Sequence, residues 1–105
     1  MSAWIILILA GLFEIGWPIG LKNAAGPHMI GWGLFAVVCM GFSGVLLFQA
    51  QKTIPIGTAY AVWTGIGAVG TFAVGIAFFG DSAGLLRIGA ASLIVLGVIG
   101  LKVVS

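Results

Sequence analysis

Charge is what this sequence has least of. Only six of its 105 residues are charged, namely Glu14, Lys22, Lys52, Asp81, Arg87 and Lys102. That is 6% of the chain, against about 25% in an ordinary soluble domain. The scarcity excludes a soluble globular domain and a disordered tail, which is kept open by its charge. It also excludes a nucleic-acid binder, whose phosphate contacts need a basic face. The net charge of +2 comes from single groups spread along the chain, so there is no basic patch. Cys39 is the only cysteine, which rules out an intrachain disulfide and a cysteine zinc site. His28, the only histidine, stands beside Pro27 without companions at metal-ligand spacing. No nucleophile–base constellation or phosphate loop is present, so the sequence predicts no enzyme, no bound metal and no cofactor.

What is present is oil. The chain is 62% hydrophobic, with a mean hydropathy of +1.32. The stretches between Lys22 and Lys52, and between Lys52 and Asp81, contain no charge at all. A helix that crosses a bilayer needs about 20 mostly apolar residues. Four such spans are predicted, at roughly 3–21, 29–50, 57–79 and 84–103, in one transmembrane domain covering residues 1–105. The connections carry turn chemistry in Gly26-Pro27, Pro55 and Gly80-Asp81. A β-barrel would need strands that alternate polar and apolar residues. Residues 5–9 and 93–98 do not alternate, and open strands would leave backbone groups unsatisfied in lipid. The expected fold class is therefore an all-α integral membrane protein. The first span lacks a basic flank and is interrupted by Glu14, so it is expected to be a span and not a cleaved signal.

With four spans, both termini share one side with Lys52 and Lys102, while Lys22 and Arg87 lie on the other. Positive-inside counting is tied. Either the free N-terminus or the lipid breaks the tie, or the chain inserts both ways and inverted copies pair. Four helices have little interior, so transport by this chain requires an oligomer. Glycines fit close helix contact: Gly16 and Gly20 in the first span, Gly65, Gly67 and Gly70 in the third, Gly97 and Gly100 in the fourth. The run in the third span also suits a bend.

Glu14 is the decisive residue. It lies near the middle of the first span, where an ionised side chain costs about 2.5–3.5 kcal/mol on insertion scales. Lys22 is too far along the helix to compensate it, about 12 Å on. Burial favours the protonated carboxyl and a neighbouring cation favours the carboxylate. One acid can thus hold a proton or an organic cation, and not both. Its neighbours suit a cation. Trp17 falls on the same helix face at i+3, and Gly11 at i−3 leaves space there. Tyr60 and Trp63 repeat the i, i+3 spacing in the third span, and Ser43 is a lone hydroxyl in the second. Aromatic faces attract cations, and indole or phenol donors can orient a carboxylate. Trp4 and Trp32 lie near span ends and fit an interfacial belt. Pro18 lacks the N–H that would bond the Glu14 carbonyl, which frees that acceptor or simply kinks the helix. Asp81 is expected to end the third span or cap the fourth, and Arg87 to snorkel.

These residues resemble the small multidrug resistance family over essentially the whole chain. The resemblance rests on Gly11-Leu-Phe-Glu14-Ile-Gly-Trp17 with Leu21-Lys22. It continues through Pro55-Ile-Gly57-Thr58-Ala-Tyr60-Ala-Val-Trp63-Thr-Gly65-Ile-Gly67 and Gly97-Val-Ile-Gly-Leu-Lys102. It implies an antiparallel homodimer of oppositely inserted copies in the bilayer, in the bacterial inner membrane. It also implies proton-coupled export of cations by alternating access, with Glu14 of both subunits shared by protons and substrate. Trp17 with Leu21-Lys22 is similar to the guanidinium-exporting branch; drug exporters typically have glycine at the position of Trp17. The resemblance assigns Gly11, Trp17, Ser43, Tyr60 and Trp63 to the surround of Glu14. It assigns Gly65 and Gly67 to a helix bend, and Ala90 and Gly97 to the dimer seam. The alternatives within the family are a quaternary ammonium or multidrug cation exporter and one subunit of a paired heteromeric transporter. Pro18, where alanine is usual, and Ala90, where some members have glycine, depart from the pattern. So does Gly16, which is expected to leave room beside Trp17 and widen the cavity.

Overall fold

The computed structural model describes residues 2–104 of the 105 and consists of four long helices. Helix α1 spans Ala3–Asn23, α2 Met29–Ala50, α3 Ile56–Phe78 and α4 Leu85–Val104. Each has at least 20 residues, hence about 30 Å of helix, and each is apolar enough to cross a bilayer.

Local chemistry sets the ends. Ser2 Oγ accepts the Trp4 backbone N–H at 3.3 Å and caps α1. α1 runs through Pro18 without interruption. A single 3-10 turn, Gly26–His28, leads into α2; Gly26 supplies its positive φ of 55° and Pro27 its fixed one. Pro55 precedes the first turn of α3, where its missing N–H costs nothing. Gly80, at φ 72°, turns the chain out of α3, and the Asp81 N–H closes that end on the Gly75 carbonyl at 3.1 Å. Asp81 therefore ends α3. The turn before α4 is made by Ser82, whose Oγ accepts the Gly84 N–H at 3.2 Å.

Lipid tails are as apolar as leucine, so helices associate in a bilayer through close packing and not through hydrophobic exclusion. The glycines provide that closeness. α1 lies against α2, where a Cβ on Gly20 would stand 3.0 Å from both the Ala36 Cβ and the Trp32 carbonyl. Gly16 faces the Cys39 Sγ on the same seam. This corrects the expectation for Gly16: it admits α2 and does not widen a cavity beside Trp17. α1 meets α3 through Gly11, whose added Cβ would be 2.7 Å from the Ile66 Cβ. At Gly65 an added Cβ would be 2.6 Å from Val98 Cγ2 of α4. Leu7, Ala50, Ile54, Ala59 and Val62 form the buried cluster that ties the start of α1 to the α2–α3 connection.

α4 packs on α3 and barely touches the other helices. None of its residues is buried, and Leu86 is 90% and Leu93 70% exposed. The four basic side chains lie against aromatic rings: Lys22 with Phe79, Lys52 with Phe48, Arg87 with Phe72 and Lys102 with Trp4, at 4.8 to 5.9 Å from the ring centres. Arg87 also donates to the Ser82 carbonyl at 2.6 Å.

Candidate functional site at Glu14

α1 and α3 diverge around Glu14 to leave an open cleft of about 490 Å³. Glu14, Trp17 and Pro18 form its α1 wall; Tyr60, Trp63, Thr64, Gly67, Ala68 and Thr71 form its α3 wall. The i, i+3 spacing puts Trp17 one turn above Glu14, and its indole N–H donates to Glu14 Oε1. From α3, Gly67 gives the acid room to lie against the helix: a Cβ there would be 2.6 Å from Glu14 Cγ.

The second carboxylate oxygen faces α2. Ser43, 1% exposed, holds its Oγ 3.5 Å from Glu14 Oε2 and 2.8 Å from the Ala10 carbonyl. A hydroxyl has one proton to give, and the shorter separation directs it to Ala10. Ser43 Oγ in turn accepts the Trp63 indole N–H at 2.8 Å. Trp63, Ser43 and Glu14 thereby connect three helices through one chain of polar groups. Among the described residues, every group within hydrogen-bonding distance of Glu14 is neutral.

One hydrogen bond to a charged group contributes about 1.5–3 kcal/mol, and an ionised carboxylate at mid-membrane costs about 2.5–3.5 kcal/mol. The Trp17 bond alone is therefore of the same order as that cost.

Five residues were expected around Glu14, and the structure brings four to it or to its cleft. Trp17 and Ser43 stand at hydrogen-bonding positions, and Trp63 reaches the acid through Ser43. Tyr60, 58% exposed, lines the cleft with its ring centre 5.5 Å from that of Trp63. Gly11 is not brought into the cleft; it is buried against Ile66 one turn away. Gly65 meets α4 and Gly67 meets Glu14. Ala90 and Gly97 lie on the exposed face of α4, with open space around Gly97. Thr64 and Thr71 were not anticipated. Their signal was available, because both fall on the helix face that carries Tyr60, at i+4 and i+11. A separate hollow of about 300 Å³ between α1, α3 and α4, at Ile15, Gly70 and Val95, is walled by apolar side chains and glycine. It offers nothing to orient an ion.

Comparison with known proteins finds relatives along nearly the whole chain. The sequence profile described as Small Multidrug Resistance protein matches residues 2–103. A Yersinia pseudotuberculosis protein named "Guanidinium exporter" is 52% identical over 103 residues, covering 98% of this chain and 99% of the relative. An Escherichia coli K12 protein of the same name is 50% identical over 100 residues, 95% of either chain. A Salmonella typhimurium one is 48% identical over the same share. With its full-length match, its four apolar helices and a lone acid in the cleft between two of them, this chain belongs to the small multidrug resistance family of membrane transporters.

Proposed function

We propose that the protein is a proton-coupled antiporter that exports guanidinium and small substituted guanidinyl cations. The observation that carries the proposal is a half-buried carboxylate with only neutral groups at hydrogen-bonding distance among the described residues, in an open, aromatic-walled cleft. Guanidinium is flat and presents forked N–H donors that match a carboxylate bidentately. The indole of Trp63 and the ring of Tyr60 supply flat walls for such an ion. Quaternary ammoniums have no N–H to donate and would depend on volume and cation–π contact alone. The names of the relatives support the same cargo, and their organisms support a bacterial inner membrane.

Coupling follows from mutual exclusion at Glu14. A proton entering the site removes the charge that holds the cation, and a cation entering it expels the proton. Two copies inserted in opposite senses would face the two sides of the membrane with the same parts. The tied charge count supports that pairing, and so does the bare face of α4, where Leu86, Ala90, Leu93 and Gly97 form one stripe. In that dimer the stripe is the seam, and the Gly65–Gly67 segment of α3 is where the helix bends between inward-open and outward-open states.

The test is electrical recording from proteoliposomes of the purified chain alone. Guanidinium is expected to give a saturable, proton-gradient-dependent current that Glu14→Gln abolishes, while the variant still elutes as a dimer. A larger saturable current with a tetraalkylammonium ion would overturn the choice of cargo. Current that survives in Glu14→Gln would overturn the choice of coupling group. Movement only after a second, different chain is added would make the protein half of a heteromeric transporter.

A further inference from the structure

We propose that Asp81 and Thr71 form a second, outer station for the guanidinyl cation, in a pocket between α1 and α3 that continues the Glu14 cleft to the face bearing the α1–α2 and α3–α4 connections. It deepens the proposed function and rests on that reading of the cargo. The pocket holds about 230 Å³ and is walled by Pro18, Lys22, Thr71, Gly75, Phe79 and Asp81 among others. Pro18 and Thr71 are also walls of the Glu14 cleft, so the two spaces adjoin.

Three observations give the pocket its chemistry. First, the Asp81 carboxylate is turned back over α3. Its Oδ2 lies where a Cβ on Gly75 would stand, so glycine is what allows the acid to reach the groove. Glu14 lies on Gly67 in the same manner. Gly67, Thr71 and Gly75 follow one another at i, i+4 and i+8 on one face of α3, which sets the two acids about 12 Å apart along the helix. Second, neither neighbouring basic group is paired with Asp81 among the described residues, although Lys22 shares its pocket. Lys22 lies over the Phe79 ring, and Arg87 is held by the Ser82 carbonyl and the Phe72 ring. Third, Thr64 and Ser92 donate to the carbonyl four residues back, as hydroxyls in membrane helices ordinarily do. The Thr71 hydroxyl has no hydrogen-bond partner among the described residues. It stands between the two acids, free to accept from a passing N–H.

A guanidinyl ion offers several N–H groups, so it can donate to Asp81 or to Thr71 before it reaches Glu14. In an inverted dimer each face of the membrane would carry one such station, for entry on one side and exit on the other. Lys22, on its flexible stem, is the tethered cation that the ion passes.

The chain contains one aspartate, so labelling aspartate with carbon-13 at the side-chain carboxyl reports Asp81 alone. Guanidinium chloride is titrated into Glu14→Gln protein in lipid nanodiscs, with sodium chloride of equal strength as control. The expected result is a saturable shift with guanidinium only, reached at several-fold higher concentration in the added presence of Thr71→Val. A linear shift, or the same shift with sodium, overturns the station. In proteoliposomes of otherwise unaltered protein, Asp81→Asn should raise the KM for guanidinium about tenfold at low ionic strength, and Asp81→Glu should restore it. An unchanged KM in Asp81→Asn also overturns it. A saturable Asp81 signal in a protein that carries no guanidinium current would sink the proposed function and leave the station standing. A Glu14-dependent current with an inert Asp81 signal would do the reverse.

Discussion

Gly67→Ala should weaken cation binding at least about fivefold while leaving the protein folded. The added methyl would stand 2.6 Å from Glu14 Cγ and 3.2 Å from its Cβ. Ordinary carbon contacts lie at about 3.5–4.0 Å, so the closer overlap is about 1 Å. The acid cannot simply swing aside, because Trp17 holds one of its oxygens and Ser43 flanks the other. Overpacking of this kind costs about 1–3 kcal/mol, and it falls on the position of the carboxylate. Converted at about 1.4 kcal/mol per decade, that is roughly 5- to 150-fold in affinity. Against it stands the intrinsic gain of alanine over glycine inside a helix, about 1 kcal/mol, which supports the fold and does nothing for the site. Affinity and stability should therefore separate: guanidinium-dependent quenching of tryptophan emission gives the Kd, and a melting curve gives the Tm. Gly41→Ala is the comparison, since open space surrounds Gly41 and only the helix gain applies. Wild-type affinity in Gly67→Ala, or an equal loss in Gly41→Ala, would refute the reasoning.

Ser43→Ala leaves the Trp63 indole N–H without its acceptor and takes away the hydroxyl beside Glu14; a loss of about 1–3 kcal/mol should appear in guanidinium affinity, and an unchanged Kd by calorimetry would contradict it. Lowering the pH should weaken guanidinium binding, because protonation of Glu14 removes the charge that the cation needs. Binding titrations between about pH 5 and 9 test this, and a flat profile would reject competition at that residue. Lys52→Gln leaves a single basic residue, Lys102, on the side of the termini, against Lys22 and Arg87 on the other. Protease access to a C-terminal tag in sealed vesicles should then shift from mixed to mostly one-sided, with the termini outside.

The helices were legible because charge is so rare. Lys22, Lys52 and Asp81 each fall at or beyond the end of a long apolar run, and the breakers Pro27, Pro55 and Gly80 mark the turns. Glu14 and Trp17 were legible as a pair because one helix fixes their spacing. What crosses between helices was not. Helices that are apolar all round have no face that periodicity can single out. Nothing in the sequence therefore showed that Gly11 would meet Ile66, or that Gly67 would receive Glu14. Gly16 is the instructive error. Successive helical residues point about 100° apart, so the immediate neighbour of Trp17 belongs to another face, and it meets Cys39 of α2. Thr71 was overlooked because a threonine in a span ordinarily satisfies itself on its own backbone; only the contrast with Thr64 and Ser92 makes it distinctive.

The aromatic rings beneath the four basic side chains have a consequence for assembly. An ammonium or guanidinium laid flat on a ring keeps part of its shell of water and turns less of its field toward lipid headgroups. With two such muted groups at either rim, the molecule resembles a battery whose poles are equally marked. During synthesis a newborn copy would then find either leaflet about equally welcoming, and in the inverted dimer proposed above one gene would furnish both halves.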